Sequence, residues 1–222
     1  MLYSCVTMGP SVRGDGDVVK ITREITDFSG VSAARGLEVY LIPDDKEYVI
    51  VEADKNLQPE IITEKKGDIL HISTDNVIRS AKSKKIHVHF IRMEEIKSSS
   101  GAFIQSADFK TNNINLSASS GSRQEIEITA GNLTADLSSG ASITLKGKAE
   151  NATVDASSGA RFKGDFKADT CTVDVSSGAN ISLEVITKLK ANASSGGSIN
   201  YRGTPTNTIV NSSSGGSIRT RE

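Results

Sequence analysis

Through the second half of the chain, apolar and polar residues alternate with a period of two. Val154, Ala156, Ser158, Ala160 and Phe162 share one phase, separated by Asp155, Ser157, Gly159 and Arg161. Leu137, Ser139, Ala141, Ile143 and Leu145 repeat the pattern, as do Val173, Val175, Ser177, Ala179, Ile181, Leu183 and Val185. Strands buried on one face read this way. An amphipathic helix needs apolar residues at i, i+3 and i+4, and these segments lack them.

The strands recur on a fixed interval. Ser-Ser-Gly appears seven times, with its glycine at 101, 121, 140, 159, 178, 196 and 215, so the steps are 20, 19, 19, 19, 18 and 19 residues. Nineteen residues cannot hold a strand, a crossover helix and a return. They suffice for one turn of a coil whose short faces stack on the turns above and below. The pattern therefore predicts an all-β fold, a parallel β-helix (solenoid) of about 19 residues per coil, right-handed by the default of parallel crossovers. At a strand spacing near 4.8 Å, six steps extend about 29 Å.

Each repeat position then acquires an expected role. The glycine falls on the outward phase, at a corner needing positive φ or close backbone approach. The second serine (Ser100, Ser120, Ser139, Ser158, Ser177, Ser195, Ser214) falls on the inward phase. Its hydroxyl is expected in a buried ladder, because buried hydroxyls require partners. The first serines, among them Ser138, Ser157 and Ser176, are expected outward as a hydroxyl stripe. Four residues before the glycine stand Lys97, Ser117, Asp136, Asp155, Asp174, Asn192 and Asn211. Three stacked aspartates repel by roughly 1 kcal/mol per neighbour in a water-like dielectric, which is tolerable without a metal. Asp136, Asp155 and Asp174 are the only metal candidates in the repeats, but calcium prefers more converging oxygens. Together with Ser138, Ser157 and Ser176 they form the candidate binding surface.

Residues 17–97 lack the motif but remain strand-rich at 18–25, 37–42, 48–53, 61–64, 69–73 and 86–90, with Lys66-Gly67-Asp68 as a turn. They are expected to form irregular early coils or a cap on the same core, because an open solenoid end exposes strand edges. Residues 17–222 thus read as one domain, 17–97 leading into the repeats of 98–222. Residues 76–85 read as a solvated basic loop. Gly203-Thr204-Pro205-Thr206-Asn207 replaces a coil face with a turn.

Composition narrows the function. Lysine and arginine number 26 against 27 acidic residues, leaving no basic excess for a phosphate backbone, so no nucleic-acid partner is expected. Hydrophobics at 36% form no stretch long enough for a membrane-spanning helix. Aromatics at 5% are too sparse for the girdles of a membrane barrel. Two cysteines, Cys5 and Cys171, make no disulfide framework. Cys171 precedes the alternating valines and reads as a packed thiol. His87 and His89 alternate on one strand, but no third ligand stands near them in sequence. There is no phosphate loop, nucleotide fingerprint, zinc-protease motif or nucleophile elbow, and no cofactor is implied.

Leu2-Tyr3-Ser4-Cys5 resembles the end of a bacterial lipoprotein signal, in which the cysteine receives the lipid. Cys5 is accordingly the candidate lipid-attachment residue, and residues 1–16, rich in Gly, Pro and Asp toward their end, read as a tether.

Four segments of the first half resemble one known family. They are Asp27-Phe28-Ser29-Gly30-Val31, Leu37-Glu38-Val39-Tyr40-Leu41, the run from Val49 to Leu57, and Gly67-Asp68-Ile69-Leu70-His71-Ile72. With the Ser-Ser-Gly-Ala repeats that follow, they resemble the bacterial putative auto-transporter adhesins of the head GIN domain family. The resemblance spans about residues 17 to 222. It implies a right-handed β-helix exported to the bacterial envelope, and it carries no catalytic residues.

The expected function is a non-enzymatic envelope or surface protein presenting a repeated polar surface to glycans or to envelope or host proteins. The alternative is an envelope assembly module that pairs with copies of itself, so a homo-oligomer is compatible with the pattern. A carbohydrate-active β-helix enzyme would need a carboxylate or basic cluster built on long loops, and these coils are nearly loopless.

Overall fold

The computed structural model describes residues 11–221. Its repeats stack as a parallel β-solenoid. Strands Arg123–Leu137 and Ser142–Ala156 each run through most of one coil, and they lie side by side from Arg123↔Ser142 to Leu137↔Ala156. Phe166–Val175 and Asn180–Ala193 continue the stack. In the 18-residue step the pairing offset falls from 19 at Phe162↔Ile181 to 17 at Ala168↔Val185, and a register irregularity between Ala168 and Thr170 brings it to 18 at Val175↔Ala193.

Alternation sends one phase into a continuous interior running from Phe28 to Ile199. Parallel register stacks like on like, so the interior is built in columns. Ile143, Phe162, Ile181 and Ile199 form one, and Ala135, Val154, Val173 and Ala191 another. Small and medium aliphatics dominate because each coil encloses only a narrow cross-section.

The Ser-Ser-Gly motif is a turn, and this corrects the expectation for its second serine. In Ser157-Ser158-Gly159-Ala160, the Ala160 N–H donates to the Ser157 carbonyl at 3.0 Å. Ser158 has φ 51° and Gly159 φ 71°, the two left-handed residues of a type I′ turn. The turn lifts both central residues out of the coil wall, so all seven second serines are exposed rather than buried. The inward neighbours of Ser158, Ala156 and Ala160, stay buried as the alternation requires. The expected hydroxyl ladder is replaced by a backbone ladder, in which each motif glycine N–H donates to the next second-serine carbonyl, from Gly101 to Ser120 through Gly196 to Ser214. A Cβ at Gly159 would meet nothing within 4 Å, so positive φ, not close approach, accounts for this glycine.

The same turn occurs once more in the first half. Arg35 (φ 57°) and Gly36 (φ 68°) take the two central positions, and the Gly36 N–H donates to the Ser100 carbonyl at 3.0 Å. Here the stacking order departs from the chain order. Gly30–Ala33 lies between Glu95–Ser98 and Ile69–Thr74, parallel to both. Glu38–Pro43 lies between Phe103–Ser106 and Lys84–Phe90. Antiparallel strands then close this end, with Tyr48–Asp54 on Lys84–Phe90, Val18–Arg23 on Tyr48–Asp54, and Ile61–Lys66 on Ile69–Thr74.

Two segments read from sequence as solvated are ordered into this cap. Val77–Ser80, within the supposed basic loop, pairs in parallel with Ser11–Arg13. Residues 11–16, read as the end of a tether, continue from that pair to dock on Asp54, whose carboxylate accepts hydrogen bonds from the N–H groups of Gly16 (2.9 Å), Lys82 (3.0 Å) and Ser83 (2.9 Å). Cys5 lies outside the described residues.

Candidate functional site

The repeat places two columns of outward side chains on one face of the solenoid. One column contains Asp136, Asp155 and Asp174, continued by Asn192 and Asn211. The other holds the first serines, including Ser138, Ser157 and Ser176, at the point where the chain enters its turn. Between them runs the backbone of the inward residues Leu137, Ala156 and Val175. The result is a long open groove of about 880 Å³, reaching from Ser32 and Lys97 to Asn211 and Ser213. All six residues singled out as a binding surface line it.

Its electrostatics follow from the stacking. Asp155 is flanked by Asp136 and Asp174. Burial, then the charges of Asp174 and Asp136, raise its pKa above the usual carboxylate range. Asp174 is relieved on its other side, where Asn192 Nδ2 donates to its Oδ1 at 2.7 Å, and Asn211 Nδ2 donates to Asn192 Oδ1 at 3.1 Å. Lys97, ion-paired with Glu95 at 2.5 Å, stands at the far end of the groove. The groove thus grades from an ion pair through a carboxylate row to neutral amides. Its ladder geometry spaces the carboxylates along the axis instead of converging them. Among the described residues, no group of three or more His, Cys, Asp or Glu side chains is arranged to hold a metal ion.

Sequence reasoning missed a second polar ladder. Asn132 Nδ2 donates to Asn113 Oδ1 at 2.9 Å, and Asn151 Nδ2 to Asn132 Oδ1 at 3.1 Å. The signal was present, since Asn113, Asn132 and Asn151 keep the 19-residue step.

The histidine pair lies in the cap, on Lys84–Phe90, one strand beyond Glu38–Pro43 in the stacking order. His89 Nδ1 lies 2.7 Å from Asp44 Oδ2, and its ring stacks on Tyr48 with centroids 4.0 Å apart. The hydrogen bond to His89 holds the Asp44 carboxyl down at about 2. His87 stacks on Tyr40 and stands 3.7 Å from Glu52. Its pKa is lowered, chiefly by burial. The carboxylates absent from the local sequence are therefore brought to these histidines by neighbouring strands. Each histidine has its own carboxylate, and the two pairs do not share a central point. Cys171 is buried in the interior column between Ala152 and Leu189, and burial pushes its thiol up to about 12.

The family model for the putative auto-transporter adhesin, head GIN domain, matches residues 27–205, most of the chain. The chain belongs to this family. Solved structures share its fold. A putative adhesin from Bacteroides fragilis superposes with a TM-score of 0.87 at 17% identity, covering 95% of this chain and 100% of its own. A putative lipid binding protein from Parabacteroides distasonis gives 0.75 at 20% identity, covering 96% and 100%. A putative adhesin from Parabacteroides merdae gives 0.70 at 14%, covering 96% and 99%. At such identities the likeness shows the fold alone. No functionally curated protein matches the chain significantly. Membership of the head GIN family fits a non-enzymatic protein of the cell surface or envelope. No helix among the described residues is long and apolar enough to cross a membrane.

Proposed function

We propose that this head GIN protein is a non-enzymatic adhesin of the bacterial cell envelope that binds an extended polar ligand, foremost a glycan, along the groove between the aspartate and serine columns. Lipid attachment at Cys5 would hold it to the membrane and leave the solenoid free to reach its partner.

The observation that carries this reading is the groove itself. It runs along the stack and repeats its hydroxyl and carboxylate groups at the strand spacing of about 4.8 Å. Serine hydroxyls donate and accept, carboxylates accept, and the asparagines near one end do both. Those hydrogen-bonding groups, repeated at each coil, match the regularly spaced hydroxyls of a polyhydroxylated chain. A protein segment of similar polarity is the second class of partner.

The test is binding of the purified protein to an array of glycans, mucins and matrix proteins, in calcium and in chelator. A saturable hit that is lost when Asp136, Asp155 and Asp174 are replaced by Lys supports the groove. A hit unchanged by those substitutions would move binding to another face. A blank array with folded protein would overturn the glycan reading.

A further inference from the structure

The solenoid's outermost strands are not alike. At the capped end, Val18–Arg23 carries Lys20 and Arg23, and Ile61–Lys66 carries Glu64, Lys65 and Lys66. At the other end, Ser217–Thr220 carries Arg219. Charges on an edge strand oppose pairing with another chain. Ser11–Arg13 and Val77–Ser80, which among the described residues pair only with each other, carry Arg13 and Arg79. The remaining edge, Asn207–Ser212, carries no charge and no proline. It pairs on one side with Lys188–Ala193 and, among the described residues, with nothing on the other. All six of its residues are exposed. Ile209 is 49% exposed on the outward face. Val210 extends the buried column of Val173 and Ala191, yet it is 48% exposed.

We propose that this edge pairs antiparallel with the same edge of a second copy of the chain, about a two-fold axis through Ile209. The strand's own sequence selects that occupant. A two-fold pairing sets an edge against itself, so a charge at its centre meets a like charge, and Asn207–Ser212 has none. With Ile209 against its symmetry mate, Asn207 faces Asn211 of the second copy, and Thr208 faces its Val210. Carboxamides are self-complementary, each having donors and an acceptor, and the protein already stacks asparagines along its axis. Asn211 uses Nδ2 on Asn192, which leaves its Oδ1 facing outward as an acceptor. Inward residues also meet inward residues in this register, so Val210 of each copy turns toward the open interior of the other. A slip of one residue would set an inward side chain against an outward one.

The edge shares Asn211 and Ser212 with the end of the groove, but the pairing needs no glycan. The experiment is sedimentation equilibrium of the full chain carrying Cys5→Ser, over a wide range of concentration. The expected result is a concentration-dependent rise toward twice the chain mass, abolished by Ile209→Lys with the far-ultraviolet dichroism and Tm unchanged. Ile209→Cys in the same background should then cross-link to itself on oxidation, because directly opposed residues of an antiparallel pair bring their Cα atoms to about 4.5–5.5 Å, within disulfide reach. Ile186→Cys, comparably exposed at 44% in the native protein but off this edge, should not. A monomer at every concentration, a dimer that survives Ile209→Lys, or equal cross-linking at 186 would each overturn the proposal.

Discussion

The backbone N–H of Gly159 donates to the carbonyl of Ser177, one coil further on, at 3.0 Å. That carbonyl belongs to a serine held at φ 49°, in the left-handed region that a side chain disfavours. The strain at each second serine is offset by the ladder it joins, and the ladder carries the corner from coil to coil.

Replacing Gly159 by Ala should therefore cost about 1–2 kcal/mol through the left-handed penalty alone, since the site has open space for a methyl group. For a chain of this size each kcal/mol lowers Tm by about 2–4 °C. Ser158→Asn should instead stabilise the fold, by up to about 1 kcal/mol, and raise Tm, because Asn tolerates this conformation. Thermal unfolding followed by circular dichroism reads both.

The aspartate column predicts a second stabilisation. Asp155 has its pKa raised by burial and by its two neighbours. A carboxyl whose folded pKa lies above the unfolded value favours folding while neutral, and that advantage is lost as pH rises from the unfolded pKa through the folded one. Asp155→Asn should thus raise Tm at neutral pH. The gain is a few tenths of a kcal/mol after solvent screening, larger at low salt and absent in acid. No gain at low salt would show that the column carries no repulsion.

Asp54 has the opposite sign. Burial pushes its pKa up, but the backbone N–H groups of Ser83, Lys82 and Gly16 outweigh that and leave it lowered. The stability it contributes is complete above the unfolded aspartate pKa and is lost as pH falls through the folded value. Asp54→Asn should cost about 1–3 kcal/mol at neutral pH, and the gap from the unsubstituted protein should close toward acid. Proteolysis between residues 11 and 17 should quicken in the same variant, because Asp54 holds that segment to the cap.

The thiol of Cys171 should resist alkylation in the folded protein at pH 8, where burial keeps it protonated. Peptide mass spectrometry should find it labelled only after denaturation. Rapid native labelling would mean that the interior opens at this coil.

Much of the architecture was legible in the repeat. Two regularities, period two within a segment and nineteen residues between segments, led to strands, parallel stacking and the composition of each column. The groove was legible for the same reason. In a parallel stack the register makes equivalent positions neighbours, so Asp136, Asp155 and Asp174 had to align once the fold was right. Ser158 misled because alternation extrapolates through a turn, whereas two successive left-handed residues carry the chain outside the coil wall. The Asn113, Asn132 and Asn151 column was available to the same argument and was overlooked.

What the sequence determined by itself is whatever depends on position within a coil, since each coil's neighbours are copies of its own pattern. The cap had no such copy to read. The insertion of 30–43 between 69–90 and 95–106, the delivery of Asp44 and Glu52 to two histidines, and the docking of residues 11–16 on Asp54 all join segments far apart in the chain. Only tertiary structure decided these. They arise from closing one end of an open stack, and closure depends on which strand best covers an exposed edge rather than on any local periodicity.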